Sequence, residues 1–203
     1  MYTGIVQATF EVSNVEKKQG LHTFHINFES LLEELQIGAS VSIDGVCMTV
    51  TSIQDQSVSF DAMQETLKTT TLGSVNTGDF VNIERSAKQG AEVGGHIISG
   101  HIEGTAKIVA SEASENNWMM EFQCTPKWMK YIVSKGFIAV NGASLTVNDA
   151  TPEGTFRVHF IPETIRQTTF NNKKVGDLVN IEIDTQTKLI VDTVERYLSQ
   201  RGV

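Results

Sequence analysis

Side chains that can do acid–base or nucleophilic chemistry are few in this sequence. Cys47 is one of two cysteines, His101 ends the glycine-rich stretch Gly94–His101, and Ser144 and Asp184 lie further along the chain. A thiolate is a nucleophile, and an imidazole that titrates near neutral pH can act as a general acid or base. Each residue also has a structural interpretation, because a cysteine in an apolar strand is commonly a small, inert core residue and a carboxylate at a strand end commonly lies in a turn.

Two familiar arrangements of these residue types fit the spacing poorly. His96 and His101 are separated by an odd number of residues, which would place them on opposite faces of a strand, and no third ligand for zinc is evident. Ser144, His101 and Asp184 are the residue types of a hydrolase triad, but no Gly-x-Ser-x-Gly turn surrounds Ser144. We therefore predict neither a metal site nor a hydrolase.

An internal repeat organises the chain. At a shift of 98 residues, 10 of the 20 positions from 65 to 84 are identical, including Glu65-Thr66 on Glu163-Thr164. At a shift of 97, residues 45–50 fall on residues 142–147, and at a shift of 96, residues 3–6 fall on residues 99–102. Self-similarity of this length indicates two copies of one structural unit. We predict domains at residues 1–96 and 97–188, followed by a separate segment at 189–203.

The two copies differ where chemistry is concerned. Ile5 in the first copy corresponds to His101 in the second, Cys47 to Ser144, Asp61 to His159 and Ser86 to Asp184. Polar and ionisable groups therefore concentrate in the second copy. If each copy binds a similar molecule, the pattern indicates two unlike pockets and a reaction between two related ligands.

Short alternating segments dominate both copies. Phe24–Phe28 alternates apolar with polar side chains, and similar windows recur between Gly, Asn and Asp residues, as in a small barrel or sandwich. We also expect one short helix at Ser30–Leu35, with a counterpart at Pro126–Ile132. From Thr187 onward, apolar residues recur at helical spacing, which predicts a terminal amphipathic helix that needs an apolar surface to cover it. The fold class predicted is all-β: two similar tandem barrels with a C-terminal α-helix for oligomerisation.

Charge and composition exclude several classes of function. Sixteen Lys and Arg against 24 Asp and Glu give the 203-residue chain a net charge of -8, which opposes binding to nucleic acid or to an anionic membrane. Apolar runs such as Phe137–Val140 are far shorter than the roughly 20 residues of a membrane span. No signal-peptide pattern opens the chain and the two cysteines are too few for a disulfide framework, so we expect reduced thiols and a cytoplasmic location.

Several long motifs in one order resemble the riboflavin synthase family, whose lumazine-binding domain is duplicated. The resemblance spans essentially the whole chain and includes residues 1–6, 45–50, 94–101, 135–138, 142–147 and 159–164. It implies two six-stranded Greek-key barrels and a homotrimer. It also implies a dismutation in which two molecules of 6,7-dimethyl-8-ribityllumazine exchange a four-carbon unit, giving riboflavin and 5-amino-6-(D-ribitylamino)uracil. Neither a metal nor an organic cofactor is implied, and some relatives associate with lumazine synthase.

The resemblance also implies roles for individual residues. His101 would move protons at the lumazine 7-methyl group or a bound water, and Ser144 and Thr146 would hold and polarise one lumazine. Cys47 would lie near the reacting carbon of the other, as nucleophile or general acid. Asp184 would assist proton transfer or orient its neighbours. The substrate-binding residues implied are Gly4, Ile5, Val6, Cys47, Met48, Thr49, Asp61, Ala62, Met63, Gln64, Glu65, Thr66, Gly100, His101, Ile102, Lys135, Ser144, Leu145, Thr146, His159, Phe160, Ile161, Pro162, Glu163 and Thr164.

Two alternatives stay open at this point. Lumazine- and flavin-binding antenna proteins share the duplicated fold without catalysis, but they tend to lose polar residues of the second copy that this chain retains. A flavin reductase is the other, although nothing here resembles a nicotinamide site. The chain departs from many members of the family in one respect, because Val46 stands where they have a first cysteine before Cys47.

Overall fold

A computed structural model describes residues 1–114 and 117–201 of the chain. The alternating segments form strands, as the sequence predicts: Phe24 and Ile26 of the window at 24–28 are fully buried, while their polar neighbours lie on the other face. Among the described residues, no helix is both long and apolar enough to cross a bilayer.

The first repeat closes into a six-stranded antiparallel barrel. The strand order around it is β1-β2-β5-β4-β3-β6, a Greek-key arrangement. A short helix, α1, follows β5 and leads through a 3-10 turn to β6. The elements are β1 (Ala8–Lys18), β2 (Leu21–Asn27), β3 (Ser40–Ile43), β4 (Val46–Gln54), β5 (Ser57–Met63), α1 (Gln64–Thr69) and β6 (Phe80–Arg85).

The second repeat forms a similar sheet in which one strand is interrupted. Its order is β10-β9-β13-β7-β8-β12-β11, and β10 and β11 together correspond to β4 of the first barrel. The first barrel bends β4 with a bulge between Val50 and Ser52, at about the place where the second breaks the strand. The elements are β7 (Gly104–Ser114), β8 (Asn117–Gln123), β9 (Phe137–Val140), β10 (Ala143–Thr146), β11 (Asp149–Ala150), β12 (Thr155–Phe160), α2 (Pro162–Gln167) and β13 (Leu178–Ile183).

The expected helix at Ser30–Leu35 is wrong. Residues 29–38 form successive turns, in which the Leu35 N–H donates to the Leu32 carbonyl at 2.9 Å. Glu34 has a φ of +56°, a left-handed conformation that a right-handed helix cannot contain. The counterpart at 126–132 is also shorter than expected, since only Pro126–Trp128 forms a 3-10 helix.

Each barrel has its own hydrophobic core, but the opening segments of the two repeats are exchanged. Val6, from the first repeat, is buried in the core of the second barrel. Ile102, from the second repeat, packs against the core of the first barrel. Between them, Tyr2 and Ile98 pair as an antiparallel bridge, with N–H···O distances of 2.8 and 3.0 Å. The two opening segments thus lie side by side, and each reaches the barrel of the other repeat.

Buried polar side chains join the two barrels. The Asn82 side-chain amide donates to the Asn141 carbonyl at 2.9 Å, and the Asn180 amide donates to the Asp44 carbonyl at 2.8 Å. All four residues are almost fully buried. Because a buried amide is costly unless it is hydrogen-bonded, these reciprocal contacts fix the position of one barrel against the other.

A long C-terminal helix, α3 (Thr185–Gln200), follows the last strand. It begins before the boundary predicted at residue 189 because the Asp184 carboxylate caps it, accepting the Thr187 N–H and hydroxyl at 2.7 Å each. Residues 202 and 203 of the predicted segment 189–203 lie outside the described part of the chain. Of the apolar side chains predicted to form one face of this helix, Leu189, Val194, Tyr197 and Leu198 are exposed and Val191 is partly buried. Ile190, beside this face, is also exposed.

Candidate active site

The exchange of opening segments places a main-chain contact beside each of the two unlike residues Cys47 and Ser144. The Gly100 carbonyl accepts the Cys47 N–H at 2.9 Å, and the Gly4 carbonyl accepts the Ser144 N–H at 2.8 Å. Both glycines have positive φ, and a Cβ added to either would lie 2.5 Å from the Cβ of its partner. Only glycine permits this approach, so each opening segment lies directly against the strand of the opposite barrel that carries Cys47 or Ser144.

Two buried glutamates hold these opening segments. The Glu84 carboxylate accepts the N–H and hydroxyl of Thr3 at 2.7 and 2.8 Å and the Gly4 N–H at 3.1 Å. The Glu182 carboxylate accepts the N–H and hydroxyl of Ser99 at 2.7 and 2.6 Å and the Gly100 N–H at 2.9 Å. Burial raises the pKa of both carboxyls, and the hydrogen bonds that they accept oppose this effect.

At the first barrel, Cys47 lies beside two groups from the exchanged segments. Its sulfur accepts a hydrogen bond from the Tyr2 hydroxyl at 3.1 Å. Burial raises the pKa of Tyr2, so this phenol stays protonated and donates throughout the neutral range. His101 follows Gly100 and is exposed, and its N–H donates to the Ser99 hydroxyl at 3.2 Å. Cys47 is half-buried, and its N–H contacts the residue immediately before His101.

At the second barrel, Ser144 pairs with His96. The Ser144 Oγ and His96 Nδ1 share a hydrogen bond of 2.6 Å, and the imidazole stacks on Phe137 with centroids 5.1 Å apart. Burial lowers the pKa of His96, while the negative charge of Asp184 acts in the opposite direction. The imidazole is consequently neutral near pH 7 and can accept a proton through the serine hydroxyl.

A cleft of about 380 Å³ opens next to Ser144. Residues of both repeats line it, and seven of the predicted substrate-binding residues are among them: Gly4, Ile5, Val6, Ser144, Ile161, Glu163 and Thr164. Ile161 precedes α2, as Met63 precedes α1 in the first barrel, and both are about two-thirds exposed. Ile161 lines the cleft, where an exposed apolar side chain suits contact with a flat heterocycle.

Other predicted residues occupy different positions. Met48, Ala62, Leu145 and Phe160 are buried in the barrel cores, so only their main-chain groups could reach a ligand. Thr49 and Thr146 are exposed on the same strand faces as Cys47 and Ser144, in agreement with the period of two used in the sequence analysis.

The outer faces of the strands carry two further predicted residues. The Asp61 carboxylate accepts the Thr23 hydroxyl at 2.6 Å, and the His159 Nδ1 lies 2.8 Å from the Asn117 side-chain oxygen. Lys135 has a φ of +66° in the turn before β9. Gln64, Glu65 and Thr66 belong to α1, and Pro162 is the first residue of α2.

The structure corrects one sequence-based interpretation. The shift of 96 residues assigns His101 to the same copy as Ser144, but His101 follows the Gly100 contact with Cys47, on the side of the first barrel. The imidazole beside Ser144 is that of His96, whose spacing from His101 suggested only a poorly matched metal site. The polar groups are therefore divided between the Cys47 and Ser144 sites rather than collected in one.

Tyr2, Glu84 and Glu182 were not identified as functional residues. The glutamates carried a signal, since they are identical in the two repeats at the ends of β6 and β13. No comparable signal marked Tyr2, because its contact with Cys47 spans 45 residues. Within residues 1–114 and 117–201, no three His, Cys, Asp or Glu side chains are grouped as a metal site would require.

Comparisons with known proteins identify the family and the fold. The lumazine binding domain family matches twice, at residues 3–86 and 99–184. Riboflavin synthase of Escherichia coli K12 is 48% identical over 203 residues, covering 99% of this chain and 95% of that protein. Riboflavin synthase of Bacillus subtilis is 36% identical over 184 residues, covering 91% and 85%. A crystal structure of LumP complexed with 6,7-dimethyl-8-(1'-D-ribityl) lumazine superposes with a TM-score of 0.83 at 23% identity, over 91% of this chain and all of that one.

Proposed function

The chain belongs to the riboflavin synthase family, and from this premise we propose that it converts two molecules of 6,7-dimethyl-8-ribityllumazine into riboflavin and 5-amino-6-(D-ribitylamino)uracil. One lumazine gives up a four-carbon unit and the other receives it. The observation that supports this most strongly is the pair of unlike residues Cys47 and Ser144 at equivalent positions of the two barrels, each contacted by the exchanged segment of the other repeat. A dismutation needs two related ligands treated differently, which two such sites would provide.

Proton abstraction from one substrate starts the reaction. The 7-methyl group of the lumazine is acidic because its carbanion delocalises into the electron-poor ring, so a base of modest strength suffices. The Ser144–His96 pair meets this need, since burial keeps the imidazole neutral and the hydroxyl lies 2.6 Å from it. Thr146, on the same strand face as Ser144, would hold and polarise the same ring.

The first barrel would hold the second lumazine next to Cys47. The sulfur acts there as a nucleophile or as a general acid at the carbon that reacts, with its position fixed by the Tyr2 hydroxyl. His101 would move protons at this pocket, either at the substrate or at a bound water. Asp184 acts on His96 through its charge rather than by contact with a substrate.

Holding two rings face to face supplies much of the rate enhancement. Effective molarities of oriented reactants correspond to roughly 7 to 11 kcal/mol of the barrier. The remaining predicted binding residues would contribute ring and ribityl contacts around the two pockets, with Met63 and Ile161 supplying apolar surface and Glu65, Lys135, His159 and Glu163 supplying polar groups. No metal or organic cofactor enters this reaction.

Assembly is part of the proposal. Residues 1–96 and 97–188 would each form a lumazine-binding barrel, with residues 189–203 as an oligomerisation helix of a cytoplasmic homotrimer. The exposed apolar residues of α3 support an interface between chains. The reacting pair would lie between the first barrel of one subunit and the second barrel of the next. Association with lumazine synthase, seen in some relatives, stays a prediction.

A single assay tests the reaction. Purified protein is mixed with 6,7-dimethyl-8-ribityllumazine alone, and riboflavin is followed by its absorbance, with the expected ratio of two lumazines consumed for each riboflavin formed. Binding of lumazine without product would instead favour the alternative, a non-catalytic antenna protein. A requirement for an added nicotinamide would point to a reductase.

A further inference from the structure

The exchanged segments cross from one barrel to the other at two buried carboxylates. Glu182 lies in β13 of the second barrel, and the residues that it binds, Ser99 and Gly100, continue to the Cys47 pocket of the first. Glu84 lies in β6 of the first barrel, and the residues that it binds continue to the Ser144 pocket of the second. The two arrangements are equivalent in the repeat, yet each serves a different pocket.

The chain of contacts from Glu182 ends at residues with proposed chemistry. Glu182 accepts the Ser99 N–H and hydroxyl, the Ser99 hydroxyl accepts the His101 N–H, and the Gly100 carbonyl accepts the Cys47 N–H. Each link is 3.2 Å or shorter. A shift of this carboxylate is therefore expected to move the main chain of residues 99–101, and with it the group that contacts Cys47.

Burying these carboxylates is expensive, which argues against a role as generic stabilisers. Both are about 4% exposed and neither has a lysine or arginine partner among the described residues. Instead, each carboxylate accepts three hydrogen bonds from N–H or O–H groups, and these offset part of the cost of burial. Three donors in this geometry need an acceptor group with two oxygens. Apolar or amide side chains would fill the same volume without the cost of removing a charge from water, but they could not bind three donors in this geometry.

We propose that Glu182 and Glu84 are positioning residues: Glu182 fixes Ser99–His101 over the Cys47 pocket, and Glu84 fixes Thr3–Gly4 over the Ser144 pocket. Neither touches a substrate in this proposal. The expected effect on turnover rests on the proposed function. The positions of the two segments do not, because they can be measured without any reaction.

The duplicated chain provides its own matched control. Glu182→Gln keeps the size of the side chain but turns an NH2 group toward a main-chain N–H, so we expect amide hydrogen exchange to rise by about tenfold or more at residues 99–101 and to stay unchanged at residues 3–5. Glu84→Gln should give the reverse pattern. Alkylation of Cys47 by iodoacetamide should change in rate in Glu182→Gln, because this variant displaces the Gly100 carbonyl that accepts the Cys47 N–H.

Turnover completes the test. Both variants should lower kcat by about tenfold or more while riboflavin still binds, since the pockets remain but their walls are displaced. Equal increases of exchange throughout the chain in both variants, or none at either segment, would overturn the proposal. If Glu182→Gln does not fold, Glu182→Asp keeps the charge on a shorter side chain and is subject to the same comparison of residues 99–101 with 3–5. A wild-type chain that makes no riboflavin would refute the proposed function, whereas exchange and alkylation would still decide the role of the glutamates.

Discussion

Asp44 and Asn141 occupy equivalent turns of the two repeats and make the same hydrogen bond with different chemistry. The Asp44 carboxylate accepts the Asn82 N–H at 2.8 Å, and the Asn141 side-chain oxygen accepts the Asn180 N–H at 2.7 Å. Only the first is ionisable. Burial raises the pKa of Asp44 to about 6, mainly because the surroundings exclude water.

Replacing this carboxylate should therefore stabilise the protein at neutral pH. The ordinary pKa of Asp44 is 3.8 and the folded value is about 6, so the folded state binds more protons between these values and stability falls as pH rises through them. Asp44→Asn removes the cost of ionisation, on the order of 3 kcal/mol above pH 6 as an upper limit. Urea unfolding should show a higher free energy of unfolding for Asp44→Asn than for the wild type at about pH 7, and no difference near pH 4.

The reciprocal substitution is the control for this prediction. Asn141→Asp adds a second buried carboxylate in the equivalent turn, so it should destabilise the protein at about pH 7 and do so less at low pH. If both variants had a higher free energy of unfolding than the wild type, or both a lower one at every pH, the carboxylate would not set the pH dependence of stability.

Much of the architecture was predictable because it depends on local patterns. The repeat gave the number of barrels, and the alternation in windows such as Phe24–Phe28 gave strands with correct inner and outer faces. The terminal helix was predicted from its apolar spacing, although its first residue was not, since the cap at Asp184 was interpreted as an exposed turn. The predicted helix at Ser30–Leu35 failed because the left-handed Glu34 leaves no mark in the apolar pattern.

The arrangement of the site was less accessible from the sequence. Aligning the repeats assumes that each copy folds on itself, and the burial of Val6 in the second barrel contradicts that assumption. The pairs Tyr2–Cys47 and His96–Ser144 are separated by 45 and 48 residues, and no periodicity connects residues so far apart. Residue types predicted the chemistry available, whereas the exchange of segments decides which groups share a pocket.

Removing either of the two unlike groups should impair turnover. Ser144→Ala removes the hydroxyl that is hydrogen-bonded to His96 and is proposed to connect it to the substrate. We expect kcat to fall by about a hundredfold, as for loss of a general acid–base group. Cys47→Ser keeps a polar group but replaces the sulfur, and should also lower kcat. Steady-state formation of riboflavin is the measurement, and unchanged kcat in both variants would reject the assignment of these pockets to the reaction.

The charge of Asp184 should set the pH at which His96 titrates. This carboxylate raises the pKa of His96 against the larger lowering by burial, so Asp184→Asn should lower the pKa further. Asparagine can still cap α3, which keeps the helix in place. The pH below which kcat falls should therefore be lower in Asp184→Asn than in the wild type. The midpoint of the His96 titration, measured by NMR, should be lower by the same amount.

A second aspartate of the same barrel is the control for that experiment. Asp177 accepts the Lys174 N–H at 2.9 Å in an exposed turn, so Asp177→Asn removes one negative charge without altering the surroundings of His96. Its profile should match that of the wild type. If the pH profile of kcat moved equally in both variants, the cause would be the change in net charge rather than the loss of the Asp184 carboxylate.

The two thiols should differ in reactivity. Burial raises the pKa of Cys124 to about 11, which leaves almost no thiolate near neutral pH, whereas Cys47 is only half-buried. Iodoacetamide at about pH 8 should therefore add one group per chain, at Cys47, and bound riboflavin should slow the reaction. Peptide mass spectrometry identifies the modified residue, and labelling of Cys124 before Cys47 would contradict the prediction.

The exposed apolar face of α3 should hold the assembly together. Leu189 and Ile190 are 62% and 65% exposed in the single chain. Exposing large apolar side chains to water is unfavourable, so their burial against another chain is favoured. Deleting residues 187–203, which leaves Asp184 in place, should reduce the particle mass below that of the proposed trimer and abolish turnover, because the proposed site lies between subunits. Ile190→Glu should have the same effect without truncation, while Val175→Glu, at an exposed site away from α3, should leave the assembly intact. Light scattering gives the mass of each variant, and a deletion variant with the wild-type mass would exclude this helix as the interface.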